Sequence, residues 1–380
     1  SLKALRAVTA RSLPFHDAAS KRRRGEFESA PEPDEIELIS RGMRQPDQPM
    51  NPRTRKALEF VLDNLVWFML LFVLVVFSIF VPNYFQLGIF ANIIEASSVL
   101  GVMSIGLALV IIAGHMDLSV ESVAALSAMA VGILFCSSGI GMGVQLHPEW
   151  LMVPVSLLLA LAVGGLIGAF NGYLVVKVKM SAFIITLASY IWVRGLVLVV
   201  SGGRSAQDLA PAIRWFGIQR LVGLPLTAWI AVGCFVVFSL IMAKTPFGRH
   251  LVMIGGNETA TFRAGIRVNR NLIIAFVLAG AIAGLAGWLL AIRTSGATAN
   301  LGVGLLFNAF AAVVIGGVSL KGGVGTLPGV YAGVLLLSAI NTAINLMGLP
   351  ANFTQVIHGL LVLAAVLLDA FKQTIRQRLA

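Results

Sequence analysis

The chain has 380 residues, of which 58% are hydrophobic and only 12% charged, against roughly a quarter charged in a soluble domain. That balance excludes a soluble enzyme built on one large core and leaves a polytopic membrane protein. The formal charge of +11 does not point to nucleic acid, because 12 of the 28 Lys and Arg residues precede Ala57 and no aromatic residues interleave with them in a folded context.

Residues 1–56 are rich in Ser, Pro, Arg and Glu and lack the apolar material for a core, so a disordered tail is expected. No short apolar stretch with a small-residue cleavage site follows a basic opening, so no secretory signal is expected. The Arg-rich opening resembles a transit peptide, and Asp17, Glu26 and Glu28 argue against one. A simpler alternative is a start at Met50, with the preceding residues coming from an upstream start.

A transmembrane domain is expected over 57–372, followed by a short tail at 373–380. Ten apolar runs mark it, at 65–81, 93–113, 120–135, 151–176, 183–200, 226–243, 272–292, 305–318, 326–347 and 356–369. Each needs roughly 20 residues of helix to cross the hydrocarbon, so the shortest must borrow flanking residues. The fold class is therefore all-α, with about ten transmembrane helices, some of them discontinuous. Small residues at four-residue spacing (Gly164, Gly168 and Gly172; Gly280 and Gly284; Gly325, Gly329 and Gly333) let helix backbones pack closely. Cys136 and Cys234 lie in apolar runs without ligand-like neighbours, so neither a disulfide nor a metal site is expected.

Placement of Lys and Arg sets the orientation. The tail, Lys177, Lys179, Lys321, the interval 244–270 and the C-terminal Lys372, Arg376 and Arg378 fall on one side. Arg204, Arg214, Arg220 and Arg293 fall on the other. Both termini and the 244–270 loop are expected to be cytoplasmic.

That loop is the one long polar interval with clear local structure. Asn257 is an N-cap, Glu258 suits the positive end of a helix, Arg263 the negative end, and Gly265 the left-handed residue beyond it. A helix of two turns with Phe262 and Ile266 as its largest apolar groups is no domain, but it fits a groove on a partner. The blander reading is a basic loop held to anionic lipid by Arg249, Arg263, Arg267 and Arg270, which leaves the caps unexplained.

Polar groups also fall in or beside the apolar runs: Glu95, Asp117, Asn171, Arg194, Asn308, Asn341 and Asn345. A charge in hydrocarbon costs at least about 2.5 kcal/mol, so such groups should face protein or a water-filled path. Asp117 is equally readable as an N-cap, Glu95 as interfacial, and Arg194 as a tie between carbonyls at a helix break. Residues 112–119 and 314–321 share an apolar run, a glycine, then Asp117 or Ser319 and a leucine. Corresponding breaks of this kind mark the path in repeat-built transporters. His115 belongs to the first break and has no second ligand at metal spacing. On the opposite side, 201–225 carries Arg204, Arg214 and Arg220, which suit an acidic partner, unless Arg204 simply pairs with Asp208. Nothing catalytic appears: Gly-x-Ser-x-Gly, His-Glu-x-x-His and the phosphate-binding Gly-x-x-x-x-Gly-Lys-Ser/Thr loop are all missing.

Over 92–369 the chain resembles the permease subunits of ABC importers for ribose, xylose, arabinose and galactose. The resemblance is carried by Gly114-His-Met-Asp117-Leu118-Ser119-Val120, by Thr186-Leu187 with Arg194-Gly195-Leu196 and Ser201-Gly202-Gly203, by Phe247-Gly248-Arg249 with Gly255-Gly256-Asn257 and Ala264-Gly265-Ile266, and by the glycine motif from Gly316 to Gly325. It implies that Gly255, Gly256, Asn257, Glu258, Thr259, Phe262, Arg263 and Gly265 form a coupling helix seated on an ATP-binding cassette subunit. It implies that this partner holds the ATP and Mg, with no cofactor in this chain. It also implies a second permease copy, identical or not, and a periplasmic sugar-binding protein docking near Arg204, Asp208, Arg214 and Arg220 of an inner-membrane protein. Glu95, His115, Asp117, Asn171, Arg194, Asn308 and Ser319 are the candidates along the path. The chain departs from the family pattern where His115-Met116 replaces Gly-Ile and Glu121 replaces Gly, placing bulkier polar groups near the break. Two alternatives are an ion-coupled transporter using Glu95 and Asp117, and a membrane assembly or receptor component that moves no solute.

Overall fold

A computed structural model describes residues 64–348 and, beyond them, 356, 357, 359, 360, 363 and 367. The tail at 1–56, the C-terminal tail and most of the tenth apolar run lie outside the described residues. The other nine apolar runs each hold a helix. Among the described residues six helices are long and apolar enough to cross a membrane: α2 (Leu87–Ile112), α4 (Met152–Lys177, extended by a 3-10 turn at Glu149–Leu151), α5 (Ala182–Ser201), α7 (Leu226–Lys244), α10 (Val268–Thr294) and α12 (Leu327–Leu346). Three apolar helices are shorter: α1 (Leu65–Phe80), α3 (Val120–Phe135) and α11 (Leu305–Ile315). At about 1.5 Å per residue, α11 rises only about 16 Å, so the run 305–318 is half a span rather than a whole one. Within residues 64–348 the remaining α-helices are α6 (Pro211–Ile218), α8 (Pro246–Gly256) and α9 (Glu258–Arg263).

α2, α10 and α12 are buried along most of their length, whereas α4, α5 and α7 turn most of theirs outward. In lipid the packing cannot come from excluding water, so it depends on how closely backbones approach. The spaced glycines supply that approach. A methyl group at Gly164 or Gly168 of α4 would run into the carbonyls of Gly280 and Phe276 on α10, and one at Gly333 of α12 would meet Ala312 O on α11. The indole N–H of buried Trp288 donates to Ser156 Oγ at 2.9 Å, fastening the same α4–α10 seam.

Two small sheets close one end of the helices. β1 (Cys136–Gly139), β2 (Ala206–Leu209) and β5 (Gly296–Ala297) pair antiparallel in the order β1-β2-β5, with Cys136 opposite Leu209 and Ala206 opposite Ala297. β1 continues directly from α3, β5 follows α10 after one residue, and β2 follows α5 after a short turn. β3 (Arg220–Leu221) and β4 (Leu224–Pro225) form a tight hairpin before α7. These strands are too short to show the alternation that makes a strand legible in sequence.

Candidate functional site

Local structure of the 244–270 loop follows from its punctuation. Thr245 accepts Gly248 N and Pro246 opens α8, a position where the missing N–H costs nothing. α8 stops at Gly256. Asn257 then turns extended (φ −161°), and its Oδ1 accepts Ala260 N at 2.9 Å to start α9. Glu258 sits in the first turn of α9, Arg263 in the last, and Gly265 takes φ +80° beyond it. Thr261 is buried and its hydroxyl donates to Met253 O and Asn257 O, both at 2.8 Å. One face of α9 is thus tied to α8. The other presents Glu258, Thr259, Phe262 and Arg263 to the outside, with Phe262 70% exposed.

Leu251 and Ile254 pack the last turns of α8 into the core, and at Gly255 the contact becomes backbone against backbone. Gly323 N donates to Ile112 O, the last carbonyl of α2, at 2.9 Å. A Cβ on Gly255 would collide with both Ile112 O and Gly323 N. Gly322 takes φ +82°, and a Cβ there would lie 2.6 Å from Gly114 Cα and 2.9 Å from Gly255 O. Three segments far apart in sequence (the turn after α2, the end of α8 and the glycine-rich turn between α11 and α12) therefore touch with no side chain between them. The end of α8 thus lies against the last carbonyl of α2 and the turn joining α11 to α12. The two glycine-interrupted stretches are connections between helices at this junction, with Ser319 half-buried in the second.

Beside the junction, His115 packs edge-on against Phe276 and lines a polar cleft of about 390 Å³ with Lys179, Glu258 and Asn269. Asp117 is buried. Its Oδ1 accepts the backbone N–H of Ser119 at 2.9 Å and the hydroxyl at 2.6 Å, while its buried Oδ2 has no protein partner. Ser119 passes the chain on: Asn171 Nδ2 donates to Ser119 Oγ (2.9 Å), Ser189 Oγ to Asn171 Oδ1 (2.6 Å), and Trp192 Nε1 to Ser189 Oγ (3.2 Å). Asp117 and Asn171 are thus brought into one buried network crossing α3, α4 and α5.

Arg194 belongs to a second network. Its guanidinium pairs with buried Glu121 at 2.9 Å and donates to Ala299 O (3.1 Å) and Leu301 O (3.2 Å). The other oxygen of Glu121 accepts Gly304 N and Leu306 N at 3.0 Å each, placing an anion on the positive end of α11. Arg194 does tie carbonyls and also balances a charge, but the expected helix break before Gly195 is not there: α5 runs unbroken from Ala182 to Ser201, and the carbonyls belong to the irregular segment before α11. Asn308 lies one turn further along α11, half-buried.

Glu95 stands apart from Asp117. It pairs with Arg220 of the β3–β4 hairpin at 3.2 Å, near the opposite end of α2. Arg204, Asp208 and Arg214 are exposed on that side, and Arg204 and Asp208 form no ion pair with each other among the described residues. Sequence reasoning singled out Glu121 as a departure without finding its partners, and it left Gly322 and Gly323 out of the coupling set. Their one sequence signal was the density of the late glycine motif.

Residues 89–366 match the family described as branched-chain amino acid transport system / permease component. The chain is 36% identical over 309 residues to the ribose import permease protein RbsC of Escherichia coli, covering 80% of this chain and 92% of that protein. It is 36% identical over 300 residues to the L-arabinose transport system permease protein AraH of Escherichia coli, covering 78% and 87%. Identity to the L-arabinose ABC transporter permease protein AraH of Azospirillum brasilense is 31% over 300 residues, covering 79% and 85%. No solved structure matches.

Proposed function

The chain belongs to the transport-system permease family, and from that premise we propose that it is the membrane subunit of an ATP-driven importer for a monosaccharide or polyol. In this reading a separate ATP-binding cassette subunit holds the ATP and Mg and receives α9. A second permease copy completes the path, and a periplasmic binding protein delivers solute to the side of Arg204, Arg214 and Arg220. The protein sits in the bacterial inner membrane with both termini cytoplasmic, as the distribution of Lys and Arg favours.

The observation that carries this reading is the junction of Gly114, Gly255, Gly322 and Gly323 directly behind an exposed, capped helix. ATP can drive a solute uphill only if its binding changes the relative stability of inward- and outward-open states. A docked helix whose support touches the end of α2 and the turn joining α11 to α12 is a physical means of doing so. The ion-coupled alternative finds less support, because Glu95 lies about 25 Å along α2 from its far end and is already engaged by Arg220.

The test is reconstitution with the neighbouring ATP-binding and binding-protein subunits, measuring uptake of a panel of pentoses, hexoses and polyols. Uptake that requires ATP and survives a protonophore is expected. Uptake by this chain alone, driven by an ion gradient, would contradict the proposal.

A further inference from the structure

The segment between β5 and α11 is irregular backbone placed within the depth of the spans. Its end at Gly304 touches Glu121 and, through it, Arg194, which lies about 18 Å along α5 from its first residue. Three successive turns (Leu301 N to Thr298 O, Val303 N to Asn300 O, Leu305 N to Gly302 O) replace helix here, and Gly302 and Gly304 take φ +79° and +89°. Non-helical backbone at membrane depth persists only where protein covers it or where it borders water, because lipid offers no hydrogen bonds. Yet Asn300, Val303 and Phe307 form an exposed strip, with Val303 65% and Phe307 62% exposed and Asn308 beside them.

We infer that the turns at 298–304 and the first turn of α11 form a solute-contacting wall of the path, with the Asn300 and Asn308 amides facing a polyhydroxylated solute and the Phe307 ring its C–H face. This rests on the importer reading. Amides donate and accept, as sugar hydroxyls require, and an aromatic ring offers an apolar face to the ring carbons. Glu121 and Arg194 act as positioning residues. They neutralise each other and bond four backbone groups of the segment, holding the wall in one shape where unpaired charge would be costly.

The experiment uses the assembled importer in proteoliposomes, with Cys234→Ala in the chain and single Asn300→Cys or Val303→Cys changes. A membrane-impermeant trimethylammonium methanethiosulfonate is the probe. Leu71→Cys on α1, whose parent residue is 61% exposed on a regular apolar helix, gives the rate at a position away from the wall. Modification roughly tenfold faster at 300 and 303 than at 71 is expected, since a hydrated thiolate forms and attacks the reagent sulfur, releasing methanesulfinate, and it should be slowed by whichever pentose or hexose the parent importer carries. Loss of one amide contact in Asn308→Ala should raise the KM for uptake roughly fivefold. Equal slow modification at all three positions would overturn the inference, and so would a disulfide between two copies at position 303 with no reaction toward the reagent. A parent importer that carries nothing with ATP would instead overturn the importer reading, independently of the labelling pattern.

Discussion

The junction behind α9 and the β3–β4 hairpin, near opposite ends of α2, are held by opposite means. At the end bearing α8 and α9, Gly114, Gly255, Gly322 and Gly323 press backbone against backbone, and Gly323 N holds Ile112 O. At the other end the β3–β4 hairpin is held to α2 by the Glu95–Arg220 pair, whose side chains are 28% and 54% exposed. A contact with no side chain has no rotamers to absorb a displacement, so motion passes through it. An exposed ion pair is worth at most about 1 kcal/mol, so an incoming partner can replace it at little cost. In the proposed importer this gives a stiff contact behind the docked helix α9 and an exchangeable one at the hairpin.

The comparison can be broken most forcefully at Gly322. Gly322→Val requires a branched side chain at φ +82° against Gly114 Cα, and uptake should be abolished, with a lowered Tm reporting the lost junction. Phe262→Ala should remove the partner instead. Because Phe262 is 70% exposed, the Tm of the isolated chain should stay within about 1 °C of wild type, as surface changes usually do. Co-purification of the ATP-hydrolysing subunit should fall by at least about tenfold, the scale on which a truncated interface anchor costs over 1 kcal/mol. Asn257→Ala removes only the cap of α9, worth about 1 kcal/mol, and should lower uptake severalfold while Asn257→Asp restores it. Glu95→Gln should shift the Tm by less than about 2 °C, because exposed pairs contribute little. Should Glu95→Gln prove as damaging as Gly322→Val, the contrast between the two ends would be false.

The smallest expected effect concerns Cys136, which closes the sheet end. Burial, with help from the Asp208 carboxylate, pushes its thiol up to about 11. The thiolate is the nucleophile, so a maleimide at pH 7 should leave Cys136 unmodified in the folded protein and react with it after denaturation.

Part of this was legible in the sequence, for identifiable reasons. The cap at Asn257, the charge order of Glu258 and Arg263 and the left-handed Gly265 are local signals within ten residues, and they appear in the structure as read. The apolar runs and the glycine spacing of α4 and α10 are periodic signals and were equally plain. The meeting of residues 112, 255 and 323 was not, because chain separation hides it and glycine carries no complementary chemistry from which to infer a partner. Glu121 was visible as an oddity, but its pairing with Arg194 and its position on the N-terminus of α11 depend on how α3, α5 and α11 pack. Glu95 stayed open between an intramembrane acid and an interfacial one because hydropathy does not locate the hairpin that supplies Arg220.

The central claim is that movement of the coupling helix reaches the membrane segments through the end of α8, and two adjacent glycines test it directly. A Cβ at Gly255 would strike Ile112 O and Gly323 N, whereas one at Gly256 has nothing within 4 Å. The ratio of solute moved to ATP hydrolysed should be measured for the reconstituted Gly255→Ala and Gly256→Ala importers. A ratio that collapses for the former while the ATPase subunit remains bound, and stays near wild type for the latter, is what the junction predicts. Equal ratios in the two variants would contradict it.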